Sequence, residues 1–218
     1  MAFRLEDKVA VIGFDDGKAN VVSHAFIDAM MEGLDKAEAD ASAVVIVGRQ
    51  GMFSGGFDLK EIQKGPGEAT ALVSRGAHML YRLFSFPQPV VAACTGHAIA
   101  AGGFTLLACD TRIGASGDFK LGLNETAIGM VLPVFGKELA ADRLSKRHLT
   151  AAVIQAKMYG PDEAVDAGFL DQLVEPADVE STSITVAAQL GELPGATYAQ
   201  QKLDTREAPL ARIKASLK

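Results

Sequence analysis

The sequence predicts an α/β fold built as one domain, and three observations carry that expectation. Runs of β-branched residues alternate with stretches of helical hydrophobic spacing. Of the 218 residues, 49% are apolar and 22% charged, enough for a sizeable core and unlike a disordered chain. No linker, low-complexity tract or fixed-period repeat divides the chain.

Residues 9–14 (VAVIGF) read as a strand, followed by the polar turn DDGK at 15–18. Ser23 stands just before Phe26, Ile27, Met30, Met31 and Leu34, whose spacing is helical, so it is expected to cap that helix. Residues 44–47 read as a buried strand running into the Gly-rich loop GMFSGG at 51–56, and Asp58 with Glu61 fits a capping box that opens another helix. Residues 72–84 read as helix, 90–94 as strand and 102–108 as helix, with short strands at 112–115 and 119–121 around the turn SGD. Beyond Pro133 the chain reads as mostly helical, with Pro161 at a first helical position and Gly168 at a C-terminal cap.

The uncharged run at 90–109 is long enough to span a bilayer. Thr95, Gly96, His97, Gly102, Gly103 and Thr105 interrupt it, and prolines 87 and 89 precede it, so it reads instead as strand, loop and buried helix. Lys and Arg number 21 against 27 Asp and Glu, a formal charge of −6. That balance argues against a general grip on nucleic acid or an anionic membrane, and an anionic ligand would have to be held locally. Cys94 and Cys109 sit in apolar stretches without C-x-x-C spacing, and the N-terminus is charged from Arg4 onward. These features predict reduced buried thiols, no signal peptide and a cytoplasmic location.

Phosphate-loop, dinucleotide-binding and G-x-S-x-G signatures are absent, and His24, His78, His97 and His148 are too dispersed to predict a metal site. What remains are two Gly-rich loops, SGGFD at 54–58 and AIAAGG at 98–103, each poised to open a helix. Such loops leave backbone N–H groups unpaired at a helix start. Two of these converging from separate loops would form an oxyanion hole, whereas glycines that merely permit tight packing are the alternative reading.

The segments GMFSGGFDLKEI at 51–62, PVVAACTGHAIAAGG at 89–103 and LACDTR at 107–112 resemble successive signatures of the crotonase (enoyl-CoA hydratase/isomerase) superfamily. YGPDEA at 159–164 and AGFLDQLV at 167–174 are weaker matches, and the resemblance runs in order from about residue 3 to about residue 203. It implies a crotonase-like spiral of β-β-α units with a helical C-terminal part, assembled as trimers or pairs of trimers. It also implies acyl-CoA thioester substrates, handled without a metal or redox cofactor.

By position, the resemblance places the oxyanion-hole N–H groups at Phe57 and Gly102. Gly55, Gly56, Asp58 and Leu59 would lie along coenzyme A, with Lys18 and Ala19 as a second contact, although Lys18 reads equally as a solvated turn residue. The single domain 1–218 ends in a helical C-terminus, from about residue 180, that is shorter than in typical members. Arg206, Arg212, Lys214 and Lys218 there read as a solvated face rather than a grip on phosphates.

Hydratases of the superfamily use two glutamates, and the one on the central helix is replaced here by Thr105, whose neutral hydroxyl is no carboxylate base. Thr105 is counted among the substrate-binding positions, the alternative being a hydroxyl bonded back to the preceding turn. The second position is kept as Glu125, within LGLNETAIG at 121–129, a run similar to that of the mitochondrial Δ3,Δ2-enoyl-CoA isomerases. One glutamate suffices for their proton shuttle, and Leu121, Leu123, Ile128 and Met130 would raise its pKa. The expected activity is therefore enoyl-CoA isomerisation, with hydration of 2-enoyl-CoA or non-catalytic acyl-CoA binding as the alternatives.

Overall fold

The computed structural model describes residues 1–217, and Lys218 lies outside them. Strands β1 (Ala2–Glu6) and β2 (Val9–Gly13) lead into helix α1 (His24–Asp40). Strands β3 (Ala43–Val47) and β4 (Gly51–Ser54) lead into α2 (Leu59–Ile62) and α3 (Pro66–Phe84), and β5 (Val90–Cys94) and β6 (Gly96–Ile99) into α4 (Ala101–Ala108). β7 (Thr111–Ala115) and β8 (Leu121–Gly122) precede α5 (Val134–Arg143), α6 (Lys146–Val153) and α7 (Pro161–Ala167). The chain closes with β9 (Gln172–Val174), α8 (Val179–Gly191), α9 (Gly195–Thr205) and α10 (Glu207–Ser216).

This is the expected β-β-α rhythm. The first strand of each later pair joins a six-stranded sheet of order β1-β2-β3-β5-β7-β9, parallel except for the β1–β2 hairpin, and the second strand joins a three-stranded sheet, β4-β6-β8. Continuous apolar strands such as AVVIV at 43–47 need cover on both faces. Ala10, Ile12, Val44, Ile46 and Ala92 face one core, shared with α1, α3 and α4. Val9, Val11, Val45, Val91 and Ile113 face a second, closed by Val179 and Ala187 of α8.

Several local expectations need correction. Residues 51–54 are strand β4 rather than loop, because they pair with β6. The strand expected at 119–121 lies at Leu121–Gly122 and belongs to the smaller sheet. Helix α3 begins at Pro66, several residues early, since its first turns carry mostly exposed small and polar residues with no periodicity to read. β1 is almost entirely exposed on its side chains and gave no apolar alternation. Ser23 caps α1 by accepting from the Phe26 N–H, as expected. Asp58 caps α2 through Lys60 N–H, but Glu61 pairs with Lys64 at 2.7 Å instead of completing a capping box.

The C-terminal cations are also not one solvated face. Lys202 Nζ donates to Asp110 Oδ2 (2.6 Å) and to the carbonyls of Phe86 (2.7 Å) and Gln88 (2.9 Å). Arg206 bonds Asp110 Oδ1 (2.9 Å) and Phe84 O (2.7 Å), and is buried. These cations meet the carbonyls at and just beyond the C-terminal end of α3, where the helix dipole favours positive charge. They fasten α9 to the core. Arg212 pairs with Glu138 at the surface, Lys214 is exposed, and Lys218 falls outside the described residues. Cys94 and Cys109 are buried free thiols, each pushed up to about 12 chiefly by burial. No described helix is long and apolar enough to cross a membrane.

Candidate active site

The two Gly-rich segments meet. Gly56, at φ +100°, occupies the left-handed region that favours glycine, and a Cβ there would come within 3.0 Å of Ala100 Cβ. At Gly102 a Cβ would lie 2.3 Å from the Ser54 carbonyl oxygen, so only glycine lets the start of α4 reach the end of β4. Between them, Ala100 is held at φ 52°, ψ −118°, a conformation rarely taken by a residue with a side chain.

A strap from residues 19–22 fixes the first loop. Gly55 N–H donates to Ala19 O (2.8 Å), Val22 N–H to Gly56 O (2.8 Å) and Asp58 N–H to Val22 O (3.2 Å). Ser54 Oγ donates to Asn20 O (2.8 Å), while the buried Asn20 amide donates to Phe14 O and Met52 O, both at 3.1 Å. This parallel bridge uses the groups on either side of Phe57, so the Phe57 N–H points away from the strap. Gly102 is the second residue of α4, where an N–H has no intrahelical acceptor. Among the described residues neither N–H has a protein acceptor.

Beside this junction lies a cavity of about 220 Å³, with Gly55, Phe57, Ala100 and Phe104 on one side and Asn124 and Glu125 on the other. Leu59, Ile128, Met130 and Val131 form an apolar, largely exposed mouth. Of the described residues lining the cavity, Glu125 alone is ionisable. It is only 6% exposed, and its Oε2 is buried without a hydrogen-bond partner. Burial pushes its carboxyl above the ordinary range, against a smaller downward pull from its own backbone N–H. The backbone is fixed by a 3₁₀ turn at Thr126–Ile128, and Met130 N–H returns to Glu125 O at 2.9 Å.

The other positions singled out in the sequence fall differently. Gly55, Phe57, Leu59 and Glu125 line the cavity, whereas Gly56 and Gly102 do not and instead allow the close approach of the two loop segments. Thr105 does not reach it: this 1%-exposed residue donates its hydroxyl to Ala101 O at 2.8 Å, within its own helix. Asp58 is occupied in capping α2. Lys18 has an exposed side chain outside the cavity and a carbonyl accepting from Arg49 Nε (2.7 Å), and Ala19 contributes its carbonyl to the strap. Sequence reasoning passed over Asn124, whose Oδ1 is a second buried acceptor without a partner, and Asn20. Each is a polar residue beside a glycine-rich or carboxylate motif, but only folding brings its partners or its cavity to it.

A sequence profile described as enoyl-CoA hydratase/isomerase matches residues 4–213. The chain is 29% identical to human mitochondrial enoyl-CoA delta isomerase 1 over 210 residues, covering 94% of this chain and 70% of that one. It is 28% identical to a probable enoyl-CoA hydratase of Bacillus subtilis (strain 168) over 204 residues, 91% of this chain and 79% of the other. The structure superposes on an enoyl-CoA hydratase/isomerase family protein from Pseudomonas syringae with a TM-score of 0.97, at 39% identity, covering 99% of this chain and 94% of that one. On human mitochondrial delta3-delta2-enoyl-CoA isomerase the TM-score is 0.93 at 28% identity, with 98% and 86% covered. With a profile match over nearly its whole length and the same fold, this chain belongs to the enoyl-CoA hydratase/isomerase family of the crotonase superfamily.

Proposed function

We propose that the protein is a Δ3,Δ2-enoyl-CoA isomerase that works with Glu125 as its single base. The observation that carries this reading is that the cavity holds one ionisable side chain, its Oε2 without a partner and its pKa pushed up, beside the loop junction that carries two unpaired backbone N–H groups. In the proposed reaction Glu125 removes a proton from C2 of a 3-enoyl thioester. The electron pair moves into a dienolate whose oxygen is held by Phe57 and Gly102 N–H, and the same carboxyl returns the proton at C4. The double bond moves from C3 to C2 with no net gain or loss of atoms. A base raised by desolvation suits so weak a carbon acid.

Coenzyme A enters as part of the substrate in this reading, and the chemistry calls for no metal or redox cofactor. The track for it would run past Gly55, Gly56, Asp58 and Leu59, with Lys18 and Ala19 alongside. The trimers or pairs of trimers implied by the family resemblance belong to the same proposal. Purified protein given 3-hexenoyl-CoA is expected to develop conjugated thioester absorbance, and Glu125→Gln to lose it. Full activity in that variant removes Glu125 from the mechanism.

Hydration of 2-enoyl-CoA is the second reading. It is favoured by Asn124 Oδ1, an unpartnered acceptor lining the same cavity as Glu125 Oε2, where a water donating to both would complete the hydrogen bonding. Formation of 3-hydroxyacyl-CoA that is lost in both Asn124→Ala and Glu125→Gln would select it.

A further inference from the structure

We infer that a cavity between α9 and the end of α5 is an anion site, in which Arg143, Lys202 and Arg206 hold a phosphate-type oxyanion. The inference does not depend on the acyl-CoA reading, because this cavity, of about 590 Å³, shares no lining residue with the catalytic one. The two also lie at opposite ends of α4: Gly102 opens the helix at the catalytic junction, whereas Asp110, just beyond its last residue Ala108, lines the second cavity. Tyr198 and Gln201 of α9 and the preceding Leu193 and Pro194 form one side, and Asp142 and Arg143, the last two residues of α5, form another.

Cations outnumber carboxylates around it. Asp110 already accepts Lys202 Nζ, Arg206 and the Val90 N–H, and the buried Arg112 occupies Asp171 in a bidentate pair (Nε–Oδ2 2.9 Å, Nη2–Oδ1 2.5 Å). Arg143 is left without a carboxylate partner among the described residues: its Nη2 donates to the carbonyls of Cys109 (3.1 Å) and Asp110 (2.8 Å), while its Nε is buried with no acceptor. Arg112 Nη1 is a second buried donor in the same condition. Four cations thus share Asp110 and Asp171, and even with the exposed Asp142 counted, one positive charge stays in excess. Burial, and then the charges of Arg112 and Arg206, push Arg143 down to about 10, as expected where cations crowd one another. A buried charge without a counter-charge is costly. An oxyanion entering the cavity supplies that charge, and the planar fork of an arginine suits two of its oxygens at once.

Calorimetric titration of the full chain with inorganic phosphate, at an ionic strength fixed with chloride, tests this. Saturable binding at one site per chain is expected, with Kd in the millimolar range or tighter. Arg143→Gln is expected to abolish it. Should that variant not fold, two exposed positions lining the cavity carry the test with opposite signs. Gln201→Glu adds a negative charge to the cavity and is expected to weaken binding at least about fivefold, whereas Asp142→Asn removes one and is expected to strengthen it about twofold or more. Loss of structure cannot imitate that pair of shifts. Absence of saturable binding overturns the assignment, and so does a Kd unchanged in both exposed variants, which would place the ion elsewhere on the chain. Either failure leaves the acyl-CoA reading standing.

Discussion

Ser54 and Gly102 touch backbone to backbone: the Ser54 carbonyl lies where a side chain on Gly102 would begin, 2.3 Å from an ideal Cβ. One contact therefore joins the end of β4, three residues before Phe57, to the first turn of α4, the two segments of the proposed oxyanion hole. Gly102→Ala must push these elements apart, since the obstructing atom is backbone. The expected result is a loss of roughly 10²-fold in kcat, as for removal of an oxyanion donor, with destabilisation of about 1–3 kcal/mol. Gly103→Ala is the milder comparison, because its Cβ would meet the flexible Leu123 Cδ2 at 3.0 Å and the nearest backbone atom, Gly122 O, at 3.2 Å rather than 2.3 Å. Steady-state kinetics and urea unfolding of both variants check the contrast, and equal behaviour would remove the contact from the argument.

In the proposed mechanism Glu125 links activity to stability through pH. Its raised pKa means that the folded chain holds a proton which the unfolded chain has already released, over the window between the ordinary carboxylate value and the raised one. Stability from this group is thus full below the unfolded pKa and falls as pH rises through the folded pKa. Activity has the opposite sign, since the base must be ionised. The acid limb of kcat/KM is expected above the ordinary carboxylate range. Glu125→Gln is expected to abolish turnover while raising Tm at neutral pH by roughly 2–4 °C, equivalent to about 1 kcal/mol in a chain of this size. A variant that is inactive and also less stable at neutral pH would contradict the assigned shift.

Much of this site was legible before folding because its parts lie in short contiguous motifs. Gly55, Phe57, Gly102 and Glu125 each occupy a recognisable position in a local run, and the β-β-α spiral follows from the order of those runs. Thr105 shows the limit: its position in the motif matched, yet the direction of its hydroxyl depends on the helix register, which gives it Ala101 O as an acceptor. Arg206 shows another, because no pattern in residues 204–218 announces that an Asp 96 positions earlier will bury it. The Asn20 staple and the exposed β1 strand were invisible for the same reason, since their partners come from elsewhere in the chain.

That distant aspartate carries a stability prediction. Asp110 accepts Lys202 Nζ, Arg206 and the Val90 N–H (2.8 Å), and the carboxylate and both cations are under 10% exposed. Removing its charge leaves two buried cations without a counter-charge, which typically costs about 3–5 kcal/mol. Asp110→Asn is expected to lose that much in urea unfolding. The exposed pair Arg212–Glu138, at 2.7 Å, should matter far less, with Glu138→Gln costing under about 1 kcal/mol. Comparable losses in the two variants would mean that the buried knot does not fasten α9.

Ala100 supplies the last test, since it holds φ 52°, ψ −118° with a side chain present and lines the cavity between the two loops. Strain of this kind costs about 1–3 kcal/mol and persists only where the surroundings enforce it. Glycine takes the conformation freely but loses more entropy on folding, by about 0.4–1 kcal/mol. Ala100→Gly should therefore equal the unaltered chain in stability or exceed it by about 1 kcal/mol. A β-branched residue tolerates the conformation least, and growth at this position also presses on Gly56, so Ala100→Val should lose at least about 2 kcal/mol together with most of the activity. Thermal unfolding of the pair decides the matter, and a marked loss of stability in Ala100→Gly would show that the alanine methyl is held by packing rather than endured as strain.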